Sequence, residues 1–328
     1  MIPLCRRAFA RLCLTVVLGT ALPASAQPRD KRVRLGFLAA SSPDRERRLL
    51  AAFRSALRDL GYGAGVVIEE RYANGRFERL PALATELVQR GVDVLLVAGA
   101  PPAQAAKKVT SEIPIVMTNA ADPVGTGLVA SLARPGGNVT GLSDFGEGVI
   151  AKRLSLMKEV VPSATRVGVL DNPANATNPI QLRLTEDAGR SLGIAVVALD
   201  ALSEADLERA SATVQKERLG ALLVVGDPGL GSMRKQVLAL AGRHRLPAIF
   251  FTKDGIDEGG LMSYGPRFED LYRRAAGYVD KILKGAHPGD LPIEQPSTFE
   301  FVLNMRTARA LGLTIPPAVA LQADRVIE

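Results

Sequence analysis

Asp227 stands where an apolar run breaks off. The stretch GALLVVGDPG covers residues 220–229, and its Leu- and Val-rich first half reads as a buried strand ending at Gly226-Asp227-Pro228. A carboxylate at the end of a buried strand has two compatible readings. It is a polar contact for a ligand, or it is the N-cap of the next helix, a position that Asp favours. The same pattern occurs at 93–102 as DVLLVAGAPP, with Gly99 before the break and Ala100 in the place of Asp227. Other predicted strands also end in polar residues. Ser41 and Ser42 follow the first, Asn119 and Asp122 the fourth, Asn172 and Asn175 the strand at 166–171, and Thr252 the strand at 246–251, while Tyr264 ends GGLMSYG. Amides, hydroxyls and carboxylates without a poised base suit reversible binding of a small polar solute. Each also suits a plain turn, since Asn-Pro and Asp-Pro are ordinary turn formers.

Reactive constellations are missing from the sequence. The two histidines, His244 and His287, lie in a basic helix end and before Pro288, and neither has ligand spacing for zinc. GLSDFG (141–146) has Phe145 where a nucleophile elbow needs glycine. No Walker A motif occurs, and GDPGLGSM (226–233) lacks the dinucleotide spacing. The sequons NVT (138–140) and NAT (175–177) read as coincidence. No metal, cofactor or catalytic residue is therefore expected. Trp is absent and only 5% of residues are aromatic, with no aromatic-basic interleaving, which argues against a nucleic-acid platform.

The elements that must position these residues alternate. VRLGFLAA (33–40) reads as a strand and ERRLLAAFRSALRDLGY (46–62) as a helix, with Leu49, Leu50, Phe53, Leu57 and Leu60 at helical spacing. Further strands and helices follow in turn, which favours an open α/β sheet. The second half echoes the first. RVGVLDNP (166–173) matches RLGFLAAS (34–41) at an offset of 132, GALLVVG matches DVLLVAG at 127, and LPAIFFT matches IPIVMT at about 133. Echoes in constant order predict two doubly wound lobes with parallel sheets. Ligands of such sheets bind beyond the carboxyl ends of the strands, so two facing lobes would form one interlobe cleft.

The first 26 residues differ from the rest. MIPLCRRAFARLCLTVVLGTALPASA has a basic start, an apolar stretch and a small-residue end, the order of a cleaved export signal. The apolar stretch is short for a membrane span. Cleavage after Ala26 would remove three of the 41 Lys and Arg residues and lower the formal net charge from +7 to +4. It would also remove Cys5 and Cys13, which leaves no thiol. A soluble, exported product without direct membrane insertion is expected.

IPIVMTNAADPVGTGLVASLARPGGNVTG, NPANATN, GALLVVGDP, GGLMSYG and TFEFVLNMRTARALGLTIPP, in this order, resemble the ABC-transporter substrate-binding proteins related to tryptophan and tyrosine binders. The resemblance implies the type I periplasmic binding-protein fold and a periplasmic solute receptor that serves a membrane permease with a separate ATPase. It implies that 271–285 returns to lobe one and 298–304 to lobe two. With it, lobe one spans 27–143 plus about 266–285, lobe two spans 150–265 plus about 294–328, and 143–152 is the first hinge crossover. Family members often carry a hydroxyl residue or an extra glycine where Ala100-Pro101 stand here. A periplasmic sensor subunit is the alternative reading, with an exported α/β hydrolase behind it.

Overall fold

β1 (Val33–Ala39), β2 (Val66–Tyr72), β3 (Val94–Ala98), β4 (Ile115–Met117) and β5 (Val139–Gly141) form one parallel sheet in the order β2-β1-β3-β4-β5. The computed structural model describes residues 32–63, 65–144 and 146–328. The export signal read over 1–26, with Cys5 and Cys13, lies outside the described residues. Strands β3 and β4 are buried along their whole length, which is why they are written as unbroken apolar runs rather than alternating ones.

Helix α1 (Pro43–Asp59) covers one face of this sheet, and α2 (Leu80–Gln89) with α3 (Ala100–Val109) covers the other. Leu49, Leu50, Phe53 and Leu57 of α1 are buried as their spacing predicts. Leu60 is not: it is the C-cap residue, past the last full turn, and is 42% exposed.

After β5 the chain passes through α4 (Glu147–Val160) into the second sheet. That sheet contains β6 (Arg166–Asp171), β7 (Ala195–Asp200), β8 (Ala221–Val224), β9 (Ala248–Phe250), β10 (Met262–Pro266), β11 (Phe299–Asn304) and β12 (Arg325–Ile327). Their order is β12-β11-β10-β9-β8-β6-β7. Every pairing is parallel except β10 with β11, so the second sheet departs from the wholly parallel one expected. The antiparallel pair arises because the chain leaves the sheet after β10 and re-enters from the other lobe.

Helices α5 (Asn178–Leu192), α6 (Glu204–Lys216), α7 (Pro228–Ser232) and α8 (Arg234–Arg243) connect the early strands of this sheet. Between β10 and β11 lies α9 (Phe268–Leu283), which packs beside α1 on the first sheet. The short helices α10 (Met305–Leu311) and α11 (Pro317–Ala320) complete the chain. The apolar core is accordingly divided. One large cluster fills the second lobe, and two clusters lie on the opposite faces of the first sheet.

Candidate binding site between the lobes

The carboxyl ends of β3 and β4 face those of β8 and β9 across a cavity. It encloses about 660 Å³ of empty space, its open mouth included. Its walls come from both lobes. Gly99, Ala100 and Pro101 stand at the start of α3, and Asn119 follows β4. Opposite them lie Asn175 and Thr177 after β6, Gly226 and Asp227 after β8, and Phe250, Phe251 and Thr252 at the end of β9. Phe268 of α9 meets Phe251 edge-on, with ring centroids 5.8 Å apart, and gives the cavity an aromatic side.

Two glycines allow the walls to come this close. A Cβ on Gly226 would lie 2.8 Å from the Phe251 ring, so a side chain there would displace the aromatic wall. Gly99 has φ +102°, in the region that favours glycine, and turns the chain from β3 into α3 beside Pro228 of the other lobe.

Asp227 is both a cap and a wall residue. It is the N-cap of α7, and its Oδ1 accepts the Leu230 N–H at 2.9 Å. Oδ1 also accepts from Asn172 Nδ2 at 3.0 Å, and Oδ2 accepts from Asn175 Nδ2 at 2.7 Å. Both oxygens are therefore occupied by the protein itself. Asn172 lies behind Asp227, 4% exposed, and holds the Asn172–Asn175 turn through an Oδ1 contact to the Ala174 N–H.

Six of the residues singled out from the sequence line the cavity: Gly99, Ala100, Asn119, Asn175, Asp227 and Thr252. Ser41, Ser42, Asp122, Asn172 and Tyr264 are not among the lining residues, each for a local reason. The Ser41 hydroxyl donates to Glu46 Oε1 at 2.5 Å, and Glu46 in turn accepts from the Tyr272 hydroxyl, which ties α1 to α9 below the cleft. Ser42 is the N-cap residue of α1, with no side-chain capping bond. Asp122 has φ +39° and accepts the Gly125 N–H at 2.8 Å, so it serves as a turn residue. Tyr264 lies on the far face of β10, because side chains alternate along a strand, and its ring stacks on Phe299 at 5.9 Å.

Reading the sequence missed two charged wall residues from the first lobe and one from the second: Arg45, Asp144 and Arg234. Asp144 comes three residues after β5, within GLSDFG, whose pattern points to its serine and not to the carboxylate. It is 8% exposed. Burial pushes its carboxyl up to about 6, against the opposing pull of an Asn119 hydrogen bond and the Arg45 and Arg153 charges. Arg153 of α4 is fully buried close by. Its Nη1 donates to the Val224 carbonyl at 3.3 Å, and its guanidinium lies over the Phe251 ring at 4.9 Å.

Ion pairs cross the rim. Arg48 of α1 binds Asp254 of the second lobe at 3.0 Å, and Lys253 of the second lobe reaches Glu269 of α9 at 3.5 Å. Among the described residues, no group of His, Cys, Asp and Glu side chains could hold a metal ion, and no helix is long and apolar enough to cross a membrane.

Residues 42–327 match the family model described as ABC transporter substrate binding protein. A tyrosine-binding protein of Clostridioides difficile (strain R20291) is 30% identical over 263 residues, covering 80% of this chain and 75% of that protein. An ABC domain from Streptococcus pneumonia, solved in complex with L-Trp, superposes with a TM-score of 0.85 at 26% identity, covering 90% of this chain and 100% of that one. A conserved domain protein from Vibrio cholerae o1 biovar eltor gives the same TM-score of 0.85 at 28% identity, with the same coverage of 90% and 100%.

Proposed function

Because the chain belongs to the family of ABC transporter substrate-binding proteins, we propose that it captures a small amino-acid-like solute between its lobes and hands it to a membrane permease. A separate ATPase would drive that permease. The two α/β lobes are those of the type I periplasmic binding-protein fold. The observation that carries the proposal is the interlobe cavity: one aromatic side, and polar groups from strand ends of both sheets. A solute held there touches both lobes, so its binding favours the closed arrangement. The relatives named for L-Trp and tyrosine support an aromatic or other large amino acid as the solute. The absence of any reactive constellation in the sequence supports a receptor rather than an enzyme.

A thermal-shift series with the common L-amino acids tests this. A true ligand at 100 times its Kd should stabilise the protein by about 2.7 kcal/mol, or roughly 5–10 °C in Tm. No shift with any amino acid would refute the amino-acid reading.

We also propose that residues 1–26 direct export to the periplasm and are removed. The mass of the exported protein should then correspond to a chain beginning at Gln27. Recovery of an exported form that still carries Met1 would contradict the assignment.

A further inference from the structure

The cavity wall contains two buried side-chain atoms that have no hydrogen-bond partner, and they belong to groups of opposite charge: Oδ1 of Asp144 and Nε of Arg45. Neighbouring groups do not meet the need of either. Besides a hydrogen bond with its own backbone N–H, the Asp144 carboxylate has one long contact, from Asn119 Nδ2 to Oδ2 at 3.4 Å. Arg153 directs its Nη1 to a backbone carbonyl and its face to Phe251. Arg45 Nε lies 3.9 Å from Asp254 Oδ2, beyond hydrogen-bond reach.

A buried charged group without its hydrogen bonds is costly, and native structures contain few of them. Two of opposite sign in one cavity wall match a partner that brings both charges. Asp227 is better satisfied, because its oxygens already accept three bonds from Asn172, Asn175 and Leu230.

We infer that Asp144 accepts the α-ammonium of the solute and that Arg45 faces its α-carboxylate, so that the pair reads the zwitterion. This rests on the amino-acid reading above and names the residues that would enforce it. The ammonium would bind on the segment that leads from the first sheet to α4, and the carboxylate at the N-terminal turn of α1. The aromatic side formed by Phe250, Phe251 and Phe268 is left for the solute's side chain. Removing either charged end of the solute leaves Asp144 Oδ1 or Arg45 Nε without a hydrogen bond, so the site discriminates against both truncated forms.

Calorimetry with L-tyrosine, 3-(4-hydroxyphenyl)propionate and tyramine tests the assignment, with L-tryptophan, indole-3-propionate and tryptamine as a second set. The unmutated protein should bind the amino acid about 10- to 150-fold more tightly than the analogue without the amine, the range expected for a hydrogen bond to a charged group. Asp144→Asn should weaken amino-acid binding by a similar factor and abolish the preference over the deaminated acid. If Asp144→Asn does not give a cooperative melt, the ligand series on the unmutated protein decides alone. Equal affinity for amino acid and deaminated acid overturns the inference and leaves the receptor function standing. So does an Asp144→Asn protein that keeps both its affinity and its preference. Failure of every α-amino acid to bind the unmutated protein removes the amino-acid reading itself, and this inference with it.

Discussion

Asp227→Asn is expected to lower the stability of the ligand-free protein by about 2–3 kcal/mol and to weaken solute binding as well. The carboxylate takes three hydrogen bonds, from Asn172 Nδ2, Asn175 Nδ2 and the Leu230 N–H, and it is 6% exposed. An asparagine in its place has one oxygen and one amino group. Whichever way the amide is turned, its amino group faces a donor on one side, either an asparagine amide or the helix N–H. A hydrogen bond to a charged group is worth about 1.5–3 kcal/mol, and here at least one is exchanged for a donor–donor contact in a buried place. Affinity should fall in parallel, because Asn175 lines the cavity and loses the group that fixes its side chain. Urea unfolding of the two proteins without ligand measures the first effect, and calorimetry the second. An unchanged unfolding midpoint would mean that the Asp227–Asn172–Asn175 cluster does not hold the site. A simple N-cap predicts that unchanged result, since Asn caps a helix about as well as Asp. The difference comes from the two side-chain amides that converge on Asp227 from the loop after β6.

Affinity for an amino acid should fall about tenfold between pH 7.5 and pH 5. Asp144 has its carboxyl pushed up to about 6 by burial, so a proton competes with the solute's ammonium below that pH. With a carboxyl near 6, about one tenth of the sites remain ionised at pH 5. The groups that face it are Arg45 from α1, Arg153 from α4 and Asn119 from the loop after β4. The ammonium of a free amino acid keeps its charge across this window. The sign for folding is the opposite. A carboxyl raised in the folded state holds its proton more tightly than in the unfolded chain, so its contribution to ligand-free stability improves as pH falls from about 7 toward 4. Loss of affinity through this group is therefore separable from acid unfolding, by following calorimetry and melting temperature over the same pH series. A flat affinity from pH 7.5 to 5 would show that no titrating carboxylate contacts the solute.

The alternation of strands and helices was legible in the sequence, because it is written locally. A strand buried on both faces must be a continuous apolar run, as at 94–98 and 221–224, and an amphipathic helix must repeat its apolar residues, as Leu49, Leu50, Phe53 and Leu57 do. The loops that reach the cleft were legible for the same reason, since a parallel sheet presents its carboxyl ends to one side. Asn119, Asn175, Asp227 and Thr252 stand at such ends, and all line the cavity. Which side chain within a loop turns inward is another matter. Tyr264 follows the alternation of β10 away from the cleft, Asp122 spends its carboxylate on its own turn, and Ser41 is taken up by Glu46. Arg45 and Asp144 reach the cavity only because α1 and the segment after β5 lie at the boundary between lobes, where the second lobe closes over them. Local pattern therefore determined the elements and the side of each sheet that binds. The tertiary structure decided which polar atoms remain without a hydrogen bond, because that depends on groups distant in the chain, such as Arg45 and Asp254, being held just beyond hydrogen-bond reach.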